Sequence, residues 1–309
     1  MTAAVPGPME AAAVAGASDR VRHERRLGTL LAAPAFIVMI VVTAYPLGYA
    51  VVLSTYQYRL TDPGGQEYIG LQNYATVLSD PVWWSAVGTT AIITAVSVAV
   101  ELVLGFGFAY VMFRILRGRS LVRTAILVPY GIVTVVSAFV WRYAFQLDSG
   151  FVNAWFNLGE LNWFGERTTA LVVITLSEIW KTTPFISLLL LAGLVQVPDV
   201  LREAAEVDGA GAWQRLWRVT LPNMKAAIMV AVLFRALDSF RIFDNIYVMT
   251  RGAQDTESVS FLTYRQVIEQ FELGLGSALS VLLFLSVLII AFVLVKLFRV
   301  DLAAARREG

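Results

Sequence analysis

Long apolar segments alternate with short polar ones along nearly the whole chain. A helix needs roughly 20 mostly apolar residues to cross a bilayer, and six segments meet that requirement: 28–55, 86–113, 121–146, 168–195, 223–250 and 276–298. The pattern predicts an all-α integral membrane protein with six transmembrane helices. It divides the chain into a disordered tail at 1–27, a transmembrane domain at 28–298 and a second tail at 299–309.

Lysine and arginine are distributed unevenly between the two ends of the predicted spans. The N-terminal flank, the loops after the second and fourth spans, and the C-terminal flank each carry four basic residues, whereas the three other loops carry five between them. Basic residues favour the cytoplasmic side of a membrane. Both termini, and the loop at 196–222, are therefore predicted to be cytoplasmic.

Composition excludes several classes of function. The chain is 58% hydrophobic and 15% charged, it has no cysteine, and its one histidine, His23, precedes the first span. Thiol chemistry is excluded and a metal site is not expected. A net charge of +1 gives no indication of nucleic-acid binding. The sequence contains no Gly-x-x-x-x-Gly-Lys-Ser/Thr phosphate loop and no nucleophile paired with a base, so we predict a non-enzyme with no catalytic residues and no cofactor.

The cytoplasmic loop at 196–222 has the pattern of a bent pair of short helices. Asp199 suits a helix start, and Gly209 can end that helix in the left-handed conformation. A second short helix places three bulky side chains on one face, namely Trp213, Leu216 and Trp217. Pro222 then opens the fifth span. Periodicity alone also allows a helix that lies on the lipid surface.

Charged residues also occur inside the predicted spans. In the fifth span four of them recur every three residues with alternating sign and are followed by an amide: Arg235, Asp238, Arg241, Asp244 and Asn245. Each ionised group facing lipid near the bilayer centre costs about 2.5–3.5 kcal/mol. The row must therefore face protein or water. It either pairs internally and with a partner subunit, or part of it lines a polar path for a solute. In the second case Asp244 and Asn245 are the expected solute contacts, and Arg235 is expected to be structural.

The fourth span presents the same two alternatives. Glu178 and Lys181 are three residues apart and form either an internal ion pair or part of a solute path. Trp180 and Phe185 lie beside them, where an aromatic ring packs in the core or stacks on a sugar. Glu101, in the second span, is isolated in sequence; it is expected to be either neutral or paired across helices, and the pattern assigns it no further role.

The motifs of the 196–222 loop resemble the EAA signature of permease subunits in binding-protein-dependent ABC importers. The matching residues are Glu203, Ala204, Ala205, Asp208, Gly209, Ala210, Leu221 and Pro222. The resemblance implies the type I ABC importer permease fold, in which this loop inserts into a groove of an ATP-binding subunit. It further implies that Glu203 pairs with a basic group of the ATPase, that Gly209 supplies the bend, and that the three bulky side chains fill the groove.

The predicted topology, six spans with both termini inside, resembles that of the carbohydrate branch of the family, the maltose-permease-like subunits. The runs 178–185, 233–248 and 274–278 further resemble permeases of trehalose importers. The implied protein is a multi-pass subunit of a bacterial cell membrane that forms half of the path for a disaccharide. The implied partners are a second permease, two ATP-binding subunits that hold ATP and Mg, and an external sugar-binding protein. A different solute, such as another sugar or a glycerol phosphate, and a proton-driven transporter that titrates Glu101, Glu178 or Asp238, remain alternatives.

Overall fold

The computed structural model describes residues 8–62, 64–115 and 117–298, with side chains from residue 26 onward. Its α-helices are α1 Pro8–Leu53, α2 Gln72–Ser79, α3 Pro81–Arg114, α4 Arg119–Gly131, α5 Thr134–Ala144, α6 Phe151–Phe156, α7 Arg167–Val195, α8 Asp199–Val207, α9 Ala212–Arg215, α10 Leu221–Asn223, α11 Lys225–Ser239, α12 Asp244–Met249, α13 Val259–Tyr264 and α14 Leu273–Phe298. Short π-helices follow α9 and α13, at Leu216–Thr220 and Arg265–Glu269, and a 3₁₀ turn occupies Ala253–Asp255. Strands β1 Tyr56–Tyr58 and β2 Gln66–Tyr68 form one antiparallel hairpin.

The N-terminal segment differs from the predicted disordered tail at 1–27. Helix α1 already begins at Pro8 and runs without interruption into the first span. Residues 9–25 contain five alanines and no proline, and alanine has the highest helix propensity of any residue. Residues 1–7 and the predicted tail at 299–309 lie outside the described residues.

Four helices within the described ranges, α1 from Arg26, α3, α7 and α14, are long and apolar enough to span a membrane, and the α4–α5 pair would be a fifth. The predicted third span is not one straight helix, because α4 and α5 meet at 89°. The break follows Pro129, which cannot donate a backbone hydrogen bond, and Gly131, a weak helix former. Ile132 at the bend is extended, with φ −78° and ψ 136°.

The predicted fifth span is also broken. Helix α11 ends at Ser239, and α12 begins only at Asp244. The carbonyl of Ile242, inside the break, accepts a hydrogen bond of 2.8 Å from the Ser258 hydroxyl. Because buried backbone groups need partners, this side chain stabilises the interruption. Prediction of a single helix over 223–250 was wrong.

Helices α3 and α7 make the most extensive contact among the described elements, and α11 packs against both. Gly105 of α3 allows close approach, since a Cβ there would lie 2.7 Å from Cγ2 of Ile186 on α7. Two apolar clusters fill the space between these helices. The Phe261 cluster contains Ile93, Ala138, Val173, Ile174, Ile242, Ile246, Val248, Met249 and Phe261. The Leu190 cluster contains Ala109, Ile186, Leu190, Leu194, Val197, Met224 and Ala231.

Candidate functional site

A polar cavity of about 440 Å³ opens where the α4–α5 bend and the α11–α12 break lie beside α7. Its lining residues are Tyr130, Thr134, Glu178, Lys181, Thr182, Asp238, Arg241, Ile242, Phe243, Asp244 and Asn245. Six of the eight residues predicted to form a solute path are in this set. Broken helices expose polar backbone only where they line a cavity or are buried in protein, and this arrangement meets that condition.

Behind one wall of the cavity, the guanidinium of Arg235 contacts three carboxylates. Its Nε donates to Oε2 of Glu101 at 2.5 Å, and its Nη2 donates to Oε1 of Glu101 at 3.0 Å. Nη2 also donates to Oε1 of Glu178 at 2.8 Å, and Nη1 donates to Oδ2 of Asp238 at 2.8 Å. We call Arg235, Glu101, Glu178 and Asp238 the charge cluster. It joins α3, α7 and α11.

The charge cluster lies between the two apolar clusters. On α3, Glu101 follows Ile93 of the Phe261 cluster and precedes Ala109 of the Leu190 cluster. Glu178 on α7 and Arg235 on α11 are likewise flanked on both sides by residues of the two clusters. Glu101 is 0% and Arg235 1% exposed. Unpaired charges in such surroundings would be strongly unfavourable, so the pairing is a condition of this packing.

Two further hydrogen bonds complete the charge cluster. The Thr182 hydroxyl donates to Oε1 of Glu101 at 2.7 Å, and Nδ2 of Asn245 donates to Oε2 of Glu178 at 2.6 Å. Both oxygens of each buried carboxylate therefore accept a hydrogen bond. Asp238 differs, because its side chain is 74% exposed and only Oδ2 contacts Arg235.

The predicted ion pair between Glu178 and Lys181 is absent from the described contacts. Glu178 faces Arg235, whereas Nζ of Lys181 donates to the Ile132 carbonyl at 2.7 Å and lies 5.7 Å from the Tyr130 ring centroid. Lys181 thus satisfies a carbonyl that the α4–α5 bend has freed. Residues three apart on α7 have separate partners on different helices, which spacing within one helix could not reveal.

The aromatic residues predicted for the path do not line the cavity. Phe185 stacks on Tyr130 with ring centroids 5.5 Å apart, so it supports a cavity residue from behind. Trp180 packs against Trp141, with ring centroids 6.1 Å apart, and its exposed fraction is 41%. The aromatic residues at the cavity are instead Tyr130 and Phe243.

The row in the fifth span is not one helical face. Arg235 and Asp238 pair within α11, but Arg241 lies in the break and Asp244 begins α12. Asp238, Arg241 and Asp244 meet around the cavity because the chain turns there, while Arg235 lies behind its wall. The prediction that they continue one helix was wrong, whereas Asp238, Arg241, Asp244 and Asn245 do share the cavity wall.

The loop at 196–222 contains the predicted bend. Gly209 has φ +77°, and the Ala210 amide donates to the Ala205 carbonyl at 2.9 Å, as at a glycine-terminated helix end. The chain then enters α9 at Ala212 and continues through the π-helix into α10, which contains Pro222. Arg215 spans the bend to Glu206, with Nη1 and Oε2 2.5 Å apart. We call residues 199–223 the elbow.

Most predicted contact residues of the elbow face outward. Glu203, Ala204, Asp208, Gly209 and Pro222 are exposed, and Ala205, Ala210 and Leu216 are half-buried. Trp213 and Trp217 are 70% and 63% exposed and stack with ring centroids 6.3 Å apart. Two exposed, stacked tryptophans form an apolar surface that water solvates poorly.

Sequence reasoning missed several residues of the site. Glu101 was expected only to be neutral or paired across helices, Arg235 was expected to be structural and was not assigned to the path, and Tyr130, Thr134 and Thr182 gave no periodic or charge signal. The available signal was the cost of isolated charges in apolar spans: Glu101 and Arg235 are opposite in sign and must each find a partner. Among the described residues, no group of three His, Cys, Asp or Glu side chains is placed to hold a metal ion.

Comparison with known proteins gives three kinds of match. The sequence model of the family described as "binding-protein-dependent transport system inner membrane component" matches residues 101–301. The trehalose transport system permease protein SugA of Mycobacterium tuberculosis is 52% identical over 275 residues, which cover 89% of both chains. The trehalose/maltose transport system permease protein MalF of Thermococcus litoralis is 35% identical over 283 residues, which cover 90% of this chain and 95% of the relative.

A solved structure shows the same fold. It is a bacterial alginate ABC transporter in complex with an alginate-bound periplasmic protein, and one of its chains aligns with a TM-score of 0.77 at 20% identity, covering 91% of this chain and 96% of that one. The type I ABC importer permease fold is thereby confirmed. The described helices and these matches establish a non-enzymatic, multi-pass protein of the bacterial inner membrane. The chain belongs to the family of inner membrane components of binding-protein-dependent transport systems.

Proposed function

We propose that this chain is the permease subunit of an ATP-driven importer for a neutral disaccharide, with trehalose as the first candidate. The observation that carries the proposal is the cavity of about 440 Å³ at the two broken helices, together with its polar lining. Carboxylate, amide and hydroxyl groups are hydrogen-bond partners for sugar hydroxyls. The names of the two relatives, which refer to trehalose or maltose transport, support the choice of a disaccharide.

Charge in the cavity favours a neutral solute. Its wall carries three carboxylates, Glu178, Asp238 and Asp244, against two cations, Lys181 and Arg241. An acidic saccharide would meet a surplus of like charge on this half of the path, which disfavours binding. Alginate, the acidic polysaccharide carried by a transporter of the same fold, is therefore outside the proposed substrate class.

The elbow is the proposed site of attachment to an ATP-binding subunit. Its exposed tryptophans, Trp213 and Trp217, form the apolar contact, and exposed Glu203 supplies a charge at the edge. The bend at Gly209 holds α8 and α9 at an angle, and the Arg215–Glu206 pair spans them. ATP-driven motion of the attached subunit would reach the spans through α11, which follows the elbow directly.

The remaining partners follow from the proposed assembly. A second, homologous permease completes the path, two ATP-binding subunits bind ATP and Mg, and an external binding protein delivers the sugar. The alginate transporter with its periplasmic protein supports this arrangement. Lipid surrounds α14, whose side chains, including Ile289 and Phe292, are largely exposed.

Uptake into proteoliposomes tests the proposal. The complete complex should accumulate labelled trehalose only when ATP is enclosed with the ATP-binding subunits and the loaded binding protein is outside. A tenfold excess of unlabelled uronic-acid disaccharide should not compete. Uptake supported by a proton gradient without ATP would contradict the proposal and favour a secondary transporter, and effective competition by the acidic sugar would contradict the substrate class.

A further inference from the structure

Glu101 and Arg235 do not line the cavity, although Arg235 contacts two residues that do. Glu178 and Asp238 belong to the cavity wall, and both accept hydrogen bonds from the Arg235 guanidinium. Glu101 accepts two hydrogen bonds from the same guanidinium. The order of contacts is therefore Glu101, then Arg235, then the two carboxylates of the wall.

We propose that Arg235, fixed by Glu101, is a positioning residue that holds Glu178 and Asp238 in the orientation in which they bind sugar hydroxyls. This inference rests on the proposed function of the cavity. A guanidinium presents its donors in a rigid planar fork. One fork that reaches three carboxylates fixes their positions relative to one another, and the two carboxylates of the wall lie on different helices.

Hydrogen bonding leaves the wall carboxylates with defined free positions. Glu178 accepts from Arg235 and Asn245, one bond at each oxygen. Among the described contacts Asp238 accepts at Oδ2 only, and its side chain is 74% exposed. Each carboxylate oxygen has more than one acceptor position, so a sugar hydroxyl can donate to either residue without displacing Arg235.

The surroundings explain why a charged fork is required for this role. Arg235 and Glu101 are buried between the Phe261 and Leu190 clusters, where water does not compete for their hydrogen bonds. Lysine at position 235 would keep the charge but could not reproduce the planar geometry, because its ammonium is a point donor. Arg235→Lys therefore keeps the positive charge and removes the planar arrangement of donors, so it tests which of the two is required.

The test measures trehalose binding to the purified complex without the external binding protein, together with uptake by the full system. We expect Arg235→Lys to assemble to the normal amount but to bind trehalose about tenfold or more weakly, as expected when a hydrogen bond to a charged group is lost. Glu178→Gln should weaken binding similarly. The double variant should be no weaker than either single variant, because both changes disrupt the same interaction.

Matched variants make the outcome decisive. Arg123→Lys, at an exposed position of α4, should bind trehalose like the original chain. If Arg235→Lys does not assemble, Glu101→Gln and Glu101→Asp replace it, with Glu101→Asp expected to retain more binding. The inference would be overturned if the variants assembled and bound the sugar as the original chain does, or if the losses in the double variant were additive. Failure of Arg235→Lys, Glu101→Gln and Glu101→Asp to assemble would overturn it as well. If the original complex shows neither trehalose binding nor ATP-dependent uptake, the proposed function itself has failed.

Discussion

Arg235 on α11 donates two hydrogen bonds to Glu101 on α3, 134 positions away in the sequence, and both side chains are almost completely buried. The Glu101 carboxylate therefore has a counter-charge only while α11 is in place, whereas Arg235 also contacts Glu178 and Asp238. The pair joins the helices at one level, between two apolar clusters. The dependence of the buried carboxylates on Arg235 gives the first prediction.

Removal of the guanidinium alone should be more damaging than removal of the whole buried group of charges. Arg235→Met leaves Glu101 and Glu178 buried without a cation and should lower the free energy of unfolding by about 3–5 kcal/mol. Arg235→Met combined with Glu101→Leu and Glu178→Gln should recover much of that loss, since neutral side chains of similar volume can replace a buried ionic group. Thermal unfolding of the assembled complex in detergent measures the effect.

Uptake provides the complementary measurement for these two variants. The triple variant should stay deficient in trehalose uptake although its stability recovers, because Asp238 loses its guanidinium partner and position 178 loses its carboxylate. A triple variant as unstable as Arg235→Met alone would contradict the prediction that the buried carboxylates depend on Arg235.

The elbow contains two glycines that differ in the sign of the backbone angle φ. Gly209 has φ +77° and Gly211 has φ −65°, and an added Cβ would meet nothing within 4 Å at either position. Gly209→Ala should therefore impose a strain of about 1 kcal/mol on the bend, whereas Gly211→Ala should not. We expect less ATP-binding subunit to co-purify with Gly209→Ala than with Gly211→Ala. Equal co-purification would show that attachment does not depend on the left-handed bend.

The stacked tryptophans should affect assembly and not folding. Because Trp213 and Trp217 are mostly exposed, replacing both by alanine should change the stability of this chain by less than about 0.5 kcal/mol. Loss of the apolar contact should nevertheless release the ATP-binding subunits, which gel filtration of the complex would detect. Trp155→Ala, at a 76% exposed position on α6, is the matched control and should leave the complex intact. If the elbow variant also retained its ATP-binding subunits, the proposed contact would be wrong.

The sequence was sufficient to predict the membrane class, the elbow and most of the cavity wall. Apolar length and the bend at Gly209 are local properties, and the structure confirms α3, α7 and α14 near their predicted bounds. The partners of Arg235 could not be predicted, because Glu101 and Glu178 are brought to it by helix packing and not by spacing. The breaks were missed for a related reason. Ser258 and Lys181 stabilise free carbonyls from distant parts of the chain.

The segment between α12 and α14 should respond to pH through Glu257. Burial raises the pKa of this carboxyl above its usual value, and the charges of Glu269 and Asp80 act in the same direction, while Arg265, with Nη1 3.1 Å from Oε2, opposes them. The folded state therefore binds the proton more tightly than the unfolded chain does. The stabilising contribution is complete below the unfolded pKa, about 4.3, and is lost as the pH rises through the higher folded pKa.

Hydrogen exchange of the amides in 256–264, corrected for the intrinsic rate, measures this effect. Protection in the original chain should decrease from pH 4 upward and level off once the carboxyl is ionised. Glu257→Gln should keep protection nearly constant over the same range, since the amide stays neutral when buried. Glu67→Gln in β2, where the side chain is exposed, should preserve the original pH dependence. A Glu257→Gln variant whose protection still decreases with rising pH would assign the dependence to another group, because no proton is left to lose at position 257.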